Sequence, residues 1–328
     1  MPANNPIIHV LHPGLLTTVQ DLGRFGYQRF GVSVSGAMDR WALAVGNRLV
    51  GNPDHTAGLE ITLQGPELLF EQTLAIAITG ADLSPTCDGH PLPLWTRLTL
   101  PAGSRLQFGR RRHGARAYLT VRGGIESPLM LGSRSTHLRS GLGGPAGRAL
   151  QKWDRLMVGK AGKRLGSLEG QSLPDFLRPS YSTAPTLRVI PGPQAECFPP
   201  ETFRLLAEQP YRITADSDRM GYRLQGQALP PRNPTDIVSD AVTCGAVQVP
   251  ADQQPILLMA DCQPTGGYAK LATLAGIDRS LAAQVLPGDH LSFVVIRAHE
   301  AIVLARAAHA KLDRLLPAHN TPGGLAWF

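Results

Sequence analysis

Arg24-Phe25-Gly26-Tyr27 with Gly31, and Arg219-Met220-Gly221-Tyr222 with Gly226, share one internal spacing, and this echo decides how the chain is divided. Pro13-Gly14 precedes the first copy and Pro191-Gly192 precedes the second. Downstream, Ser35-Gly36-Ala37 is echoed by Cys244-Gly245-Ala246. The apolar run 74–79, closing in Ala81-Asp82, is echoed by 256–259, closing in Ala260-Asp261. Last, Pro101-Ala102-Gly103 leads to Leu106 and Phe108, as Pro287-Gly288-Asp289 leads to Leu291 and Phe293. An ordered series of this kind predicts an ancient duplication, with similar units near residues 7–125 and 187–297. The alternative is turn chemistry reused by chance in a chain rich in glycine and proline.

Composition agrees with many short strands joined by turns. Gly 35 and Pro 28 are high, aromatics reach only 6%, and 43% hydrophobic against 17% charged residues is a globular balance. Runs 74–79, 117–121, 256–259 and 291–296 read as short strands. Three helices are expected. Met38, Trp41, Ala42, Val45 and Leu49 share a face, with Ser35 as N-cap and Gly51-Asn52 as the stop. A shorter helix starts at Pro200 and runs through Leu206, and a third spans 297–315. The predicted fold class is mainly β with a few helices (α+β), organised as two related units. The first unit is 1–186, including a Gly/Ser/Arg-rich segment 123–186 expected to cover a site or an interface. The second is 187–297, and 298–328 is a C-terminal helix and tail.

Other function classes find little support. The basic run Arg110-Arg111-Arg112-His113, within a net charge of +7, lies between two apolar segments and reads as a solvated turn rather than a nucleic-acid stripe. Four dispersed cysteines form no C-x-x-C, so free thiols in a reducing compartment are expected. With no signal-peptide pattern and no long apolar window, a cytoplasmic location outside any membrane is expected. No metal site is expected: His9 and His12 are three apart in extended chain, so they point to opposite faces. There is no phosphate-cradling G-x-x-x-x-G-K-[ST] loop, no G-x-S-x-G elbow and no biotin-attachment core.

The chain does carry a set of polar-glycine segments: 17–24 (TTVQDLGR), 35–39 (SGAMD), 47–52 (NRLVGN), 59–62 (LEIT), 132–136 (GSRST), 218–221 (DRMG), 245–250 (GAVQVP) and 261–268 (DCQPTGGY). Together these resemble the family of the 5-oxoprolinase C subunit, also labelled biotin-dependent carboxyltransferase, allophanate hydrolase subunit 2 or Kip inhibitor antagonist. The resemblance covers about residues 8–295, with small departures such as Gly46 where alanine is usual. It implies cyclophilin-like β-barrel units and partners related to the A and B subunits of 5-oxoprolinase. The implied activity is an ATP-dependent opening of 5-oxoproline to L-glutamate, active only as the complex, with ATP held by the assembly or by this chain. Two alternatives stay open. One is a carboxyltransferase component moving CO₂ from carboxybiotin, delivered on another chain, to urea or a similar amide. The other is a non-catalytic regulatory protein that binds its partners.

A lactam, urea and the ureido ring of biotin each present an N–H beside a resonance-stabilised carbonyl. A pocket for them needs an acceptor for the N–H and donors for an oxygen that gains negative charge. Asp21, Asp261 and Arg219 are the catalytic candidates, with Asp82 as a further acceptor. Arg24, Asp39, Arg134, Gln248, Gln263 and Tyr268 are the substrate-binding candidates, since an arginine can clamp a carboxylate in bidentate fashion. Duller readings stand beside these. Arg24 and Arg219 can brace turns, Asp39 can complement a helix dipole, and Tyr268 can be core. Gln248 and Tyr268 gain from Gly266-Gly267, where backbone allows close approach.

Overall fold

The computed structural model describes residues 5–162, 170–232 and 236–317, so the far end of the predicted tail lies outside the described residues. The chain is mainly β with four α-helices among the described residues. Contacts divide it into two compact units. One comprises residues up to Arg24, Asp39–Ser180 and the stretch from Ala310. The other comprises Phe25–Met38 and Tyr181–His309.

The first unit is a pair of sheets. A seven-stranded sheet contains Ile7–His12, Glu67–Phe70 and Arg105–Phe108, and a five-stranded sheet contains Leu16–Gln20, Gly58–Thr62, His113–Val121 and Leu74–Asp82. Inward residues of both sheets, among them Ile8, Val10, Leu68, Phe70, Ile61, Ile76, Ile78 and Leu119, form one core. Each such apolar side chain contributes about 1.5–3 kcal/mol on burial. Residues 125–158 of the Gly/Ser/Arg-rich segment are stitched onto strand edges within this unit. Arg155–Val158 pairs with Ile7–His12, Thr136 N–H donates to the Val19 carbonyl, and Leu150 N–H to that of Thr17. The edge strand Leu16–Gln20 of the five-stranded sheet is thereby covered. The helix Arg40–Val50 lies here and is buried along almost its whole length. Two of its buried polar residues find partners within the unit: Arg48 makes a two-bond ion pair with Asp54, at 2.8 Å each, and Asn47 Nδ2 donates to the Thr56 carbonyl at 2.7 Å.

The second unit is a closed barrel of seven strands, in the order Thr186–Pro191, Lys270–Leu274, Ala246–Gln248, Ile256–Leu258, Gly221–Gln225, Tyr211–Ile213 and His290–Val295. Leu187, Val189, Tyr211, Tyr222, Val247, Leu257, Leu271 and Phe293 fill it. Beside the barrel lies a separate two-stranded ribbon, Asp236–Ala241 paired with Thr265–Tyr268.

The repeat is visible in two of the turns but not in the others or in the strand pairings. Gly36 and Gly245 share a left-handed φ, of 92° and 94°, as do Gly103 and Gly288 at 86° and 95°. However, Arg24-Phe25-Gly26-Tyr27 leads into a 3-10 turn at Gln28–Phe30, whereas Gly221 and Tyr222 open a barrel strand. Strands Thr186–Pro191 and His290–Val295 pair directly, but Ile7–His12 and Arg105–Phe108 are separated by Glu67–Phe70. Turn residues dictate local φ; strand order is set by long-range packing, and here the two differ.

The helices fall at 40–50, 200–208, 279–282 and 298–315. The N-cap of the first is Asp39, not Ser35: Asp39 Oδ1 accepts from Ala42 N–H at 2.9 Å. Ser35 has a left-handed φ of 56° and its hydroxyl donates to Asp261, which takes it out of the capping role. Gly51 is the left-handed C-cap, so Asn52 bridges the Val121 carbonyl and Gly123 N–H instead. All four cysteines are free. No described helix is long and apolar enough to cross a membrane.

Candidate functional site

In the barrel wall, Gln248 stands opposite Lys270 on neighbouring antiparallel strands. Their chain neighbours Val247, Val249, Ala269 and Leu271 all point into the core. Strand alternation therefore turns Gln248 and Lys270 outward. Outward polar groups usually meet water, yet these are only 1% and 3% exposed. The ribbon and the turn at Gln194 cover them. Lys270 Nζ donates to Asp240 Oδ2 at 2.8 Å, and Gln194 Nε2 reaches the same oxygen at 3.1 Å. Gln194 Oε1 accepts the backbone N–H of Lys270. The Lys270 ammonium, with help from the Ala241 N–H and Gln194, holds the Asp240 carboxyl below the usual carboxylate range.

Gly266 is the floor of this patch. A Cβ there would lie 2.9 Å from Gln248 Nε2, 3.1 Å from Val242 Cγ2 and 3.5 Å from Gln263 Nε2. Two carboxamide nitrogens thus approach one backbone position that only glycine leaves open. Gln248 Nε2 also donates to the Tyr268 carbonyl at 3.2 Å, while Tyr268 is 41% exposed. Gly266-Gly267 belongs to a ribbon strand, and the expected close approach comes from the two glutamines. Chemically the patch offers carboxamide and ammonium donors beside a carboxylate acceptor. That set suits a small planar amide whose oxygen gains charge.

Asp261, two residues before Gln263, forms a tight buried pair with Arg219 in the same unit. Arg219 Nε donates to Asp261 Oδ2 at 2.8 Å and Nη2 to Oδ1 at 3.0 Å. Arg219 Nη2 also holds the Gly36 carbonyl at 2.7 Å, and Ser35 Oγ donates to Asp261 Oδ1 at 2.7 Å. The ion pair thereby fixes the left-handed Ser35-Gly36 turn, a bracing geometry. Asp261 N–H is itself bonded to the Arg219 carbonyl, which sets the course of the chain into Cys262-Gln263.

The remaining candidates lie in the first unit. Asp21 accepts from Gly23 N–H at 2.8 Å, Ser133 Oγ at 2.7 Å and Arg134 N–H at 2.6 Å, and also from Ser135 Oγ. Arg24 donates to the Ser135 carbonyl. Together Asp21 and Arg24 clasp the 132–136 loop. The Arg134 guanidinium turns away to Glu126, at 2.8 Å, and to the Ser127 carbonyl. Asp82 caps a turn through Ser84 N–H at 2.8 Å. Asp39 is the helix cap, and its own N–H donates to Tyr118 Oη, which in turn donates to Glu60 at 2.7 Å.

Sequence reading singled out Gln248, Gln263 and Tyr268, which the barrel unit brings together. It passed over Lys270, Asp240 and Gln194. The available signal was a lone charge inside an apolar strand, Ala269-Lys270-Leu271, matching Val247-Gln248-Val249. Asp240 and Gln194 carried none, because their role arises from loops folding over the barrel.

Comparisons with known proteins agree with this architecture. Residues 30–295 match the family model described as carboxyltransferase domain, subdomain A and B. The chain is 38% identical over 296 residues to the 5-oxoprolinase C subunit of Escherichia coli (strain K12), covering 90% of this chain and 93% of that protein. It is 36% identical over 314 residues to the 5-oxoprolinase C subunit of Haemophilus influenzae (strain ATCC 51907 / DSM 11121 / KW20 / Rd), covering 94% and 97%. Among solved structures, the K. lactis urea amidolyase superposes with a TM-score of 0.89 at 29% identity, over 99% of this chain but only 21% of that enzyme. The chain therefore belongs to the carboxyltransferase domain family built from subdomains A and B.

Proposed function

We propose that this chain is the C subunit of an ATP-dependent 5-oxoprolinase and, with the A and B subunits, opens 5-oxoproline to L-glutamate. The observation that carries the reading is the near end-to-end match to two proteins named as the C subunit of 5-oxoprolinase. The chemistry of the barrel patch is compatible with it. In a lactam, the exocyclic carbonyl oxygen gains negative charge as the carbonyl carbon is attacked, and Gln248 and Gln263 supply neutral donors for it.

Nucleotide phosphates fit this chain poorly. Among the described residues, the N-terminus of helix Arg40–Val50 is occupied by the Asp39 carboxylate, and helices Pro200–Glu208 and Ala298–Leu315 carry Glu201 and Glu300 in their first turns. Acidic groups there repel the phosphates that a helix dipole would otherwise attract. The reading therefore assigns ATP to the partner proteins, and no step of this chain runs through it.

The likeness to urea amidolyase favours a second reading, carboxyl transfer from carboxybiotin to an amide, for which the same donors would face the ureido oxygen. Variants separate function from folding. In the assembly, Gln263→Leu is expected to lower kcat/KM for 5-oxoproline by about 10- to 100-fold, the loss of one charge-stabilising donor, with Tm within a few degrees of wild type. Unchanged kinetics in both Gln263→Leu and Gln248→Leu would remove the patch from the reaction.

A further inference from the structure

We propose that Lys270 is the anion-recognition residue of this site, and that Asp240 is its resident stand-in, a ribbon-borne carboxylate that a carboxylate-bearing substrate displaces. The inference rests on the proposed function and names how its substrate is selected.

A lysine ammonium 3% exposed needs an anion, since an unpaired buried charge is strongly disfavoured. Asp240 provides one, but its side chain is 49% exposed and it sits on an element of little independent stability. A two-stranded ribbon is marginal in water. Along Asp236–Ala241 only Ile237 is partly buried, Val238 is 93% exposed, and the register slips between Asp236 and Asp240. Lys270 is thus built into the barrel wall, while its counter-ion is carried on a loosely attached arm.

The barrel-wall neighbour of Lys270 is Gln248, whose amide approaches Gly266 together with that of Gln263. Directly paired residues on antiparallel strands are about 4.5–5.5 Å apart at Cβ. One small molecule can therefore reach both the ammonium and the carboxamides if it carries a carboxylate next to a planar amide. 5-Oxoproline has that chemistry, and so does an N-carboxylated ureido ring. Exchange of one carboxylate for another keeps the ammonium paired throughout and frees the ribbon.

The test uses the full chain assembled with the A and B subunits, titrated calorimetrically with 5-oxoproline, with 2-pyrrolidinone (the same lactam without its carboxylate) and with N-carboxybiotin. Lys270→Gln is expected to weaken 5-oxoproline binding at least tenfold and to leave 2-pyrrolidinone within twofold. Asp240→Asn, which removes the competitor, is expected to tighten 5-oxoproline severalfold and to speed amide exchange across 236–241. Lys270→Arg, which keeps the charge, retains most of the affinity and guards against a folding defect. Equal 5-oxoproline affinity in wild type, Lys270→Gln and Asp240→Asn would overturn the inference and leave the proposed function standing. If wild type binds neither 5-oxoproline nor N-carboxybiotin, both fall. Should N-carboxybiotin alone bind and depend on Lys270, the recognition role survives and the lactam substrate is overturned.

Discussion

Tyr118 sits between two buried acids, donating to Glu60 and accepting the N–H of Asp39. Burial pushes its phenol well above the ordinary value of 10.0, and the charges of Glu60 and Asp39 add to the shift. The folded state thus holds this proton more tightly than the unfolded chain. Its contribution to stability is complete below pH 10 and declines as pH rises from there toward the folded value. Tyr118→Phe should destabilise by about 1–3 kcal/mol at neutral pH, the penalty for buried groups losing a partner, and should flatten the alkaline decline. Urea unfolding between pH 7 and 11 measures both. Arg219 belongs at the same scale. Sequence left it open whether this residue meets an anion or braces a turn, and the two-bond contact with Asp261 and the bond to Gly36 fit bracing. Arg219→Ala leaves a buried carboxylate without this cation, which typically costs about 3–5 kcal/mol. Retained Tm with lost activity would restore the anion-binding role.

Among the elements, the helix Arg40–Val50 shows what a glycine inside a buried helix accommodates. Gly46 faces Thr120, and a Cβ would lie 2.9 Å from both Thr120 Cγ2 and Oγ1 and 3.1 Å from Thr79 Oγ1. Alanine is the better helix former by about 1 kcal/mol, yet overpacking against a stiff β-branched neighbour typically costs about 1–3 kcal/mol. Gly46→Ala is therefore expected to lower stability in a melting experiment, and Thr120→Ser in the same chain to recover part of the loss by removing the methyl. The helix itself was legible from the spacing of Trp41, Ala42, Val45 and Leu49, as was its stop at Gly51. Its cap was not, because Ser35 and Asp39 are equally good caps on paper. What separates them is the left-handed Ser35-Gly36 turn and the contact with Asp261, 226 residues away. The ribbon escaped for a similar reason: Asp236–Ala241 lacks the apolar alternation of a core strand, since it faces water nearly throughout.

At the scale of the whole molecule, glycine and proline spacing announced a β-rich chain of two units, and the turns at Gly36, Gly245, Gly103 and Gly288 are where that spacing places them. Strand order was beyond reach, because it depends on which apolar faces meet across the core rather than on local turn chemistry. The affiliation was legible from short polar-glycine segments, and of the candidate side chains it carried, Gln248, Gln263 and Tyr268 gather in one patch while Asp21 and Arg24 clasp a loop. The central claim, a protein whose chemistry needs partners, is tested most directly by following glutamate release from 5-oxoproline with ATP present. The chain is assayed alone and then with the A and B subunits. The account predicts no turnover by the chain alone, turnover with all three components, and its loss when this chain is left out. Glutamate release by the isolated chain, or undiminished release by A and B without it, would contradict the account.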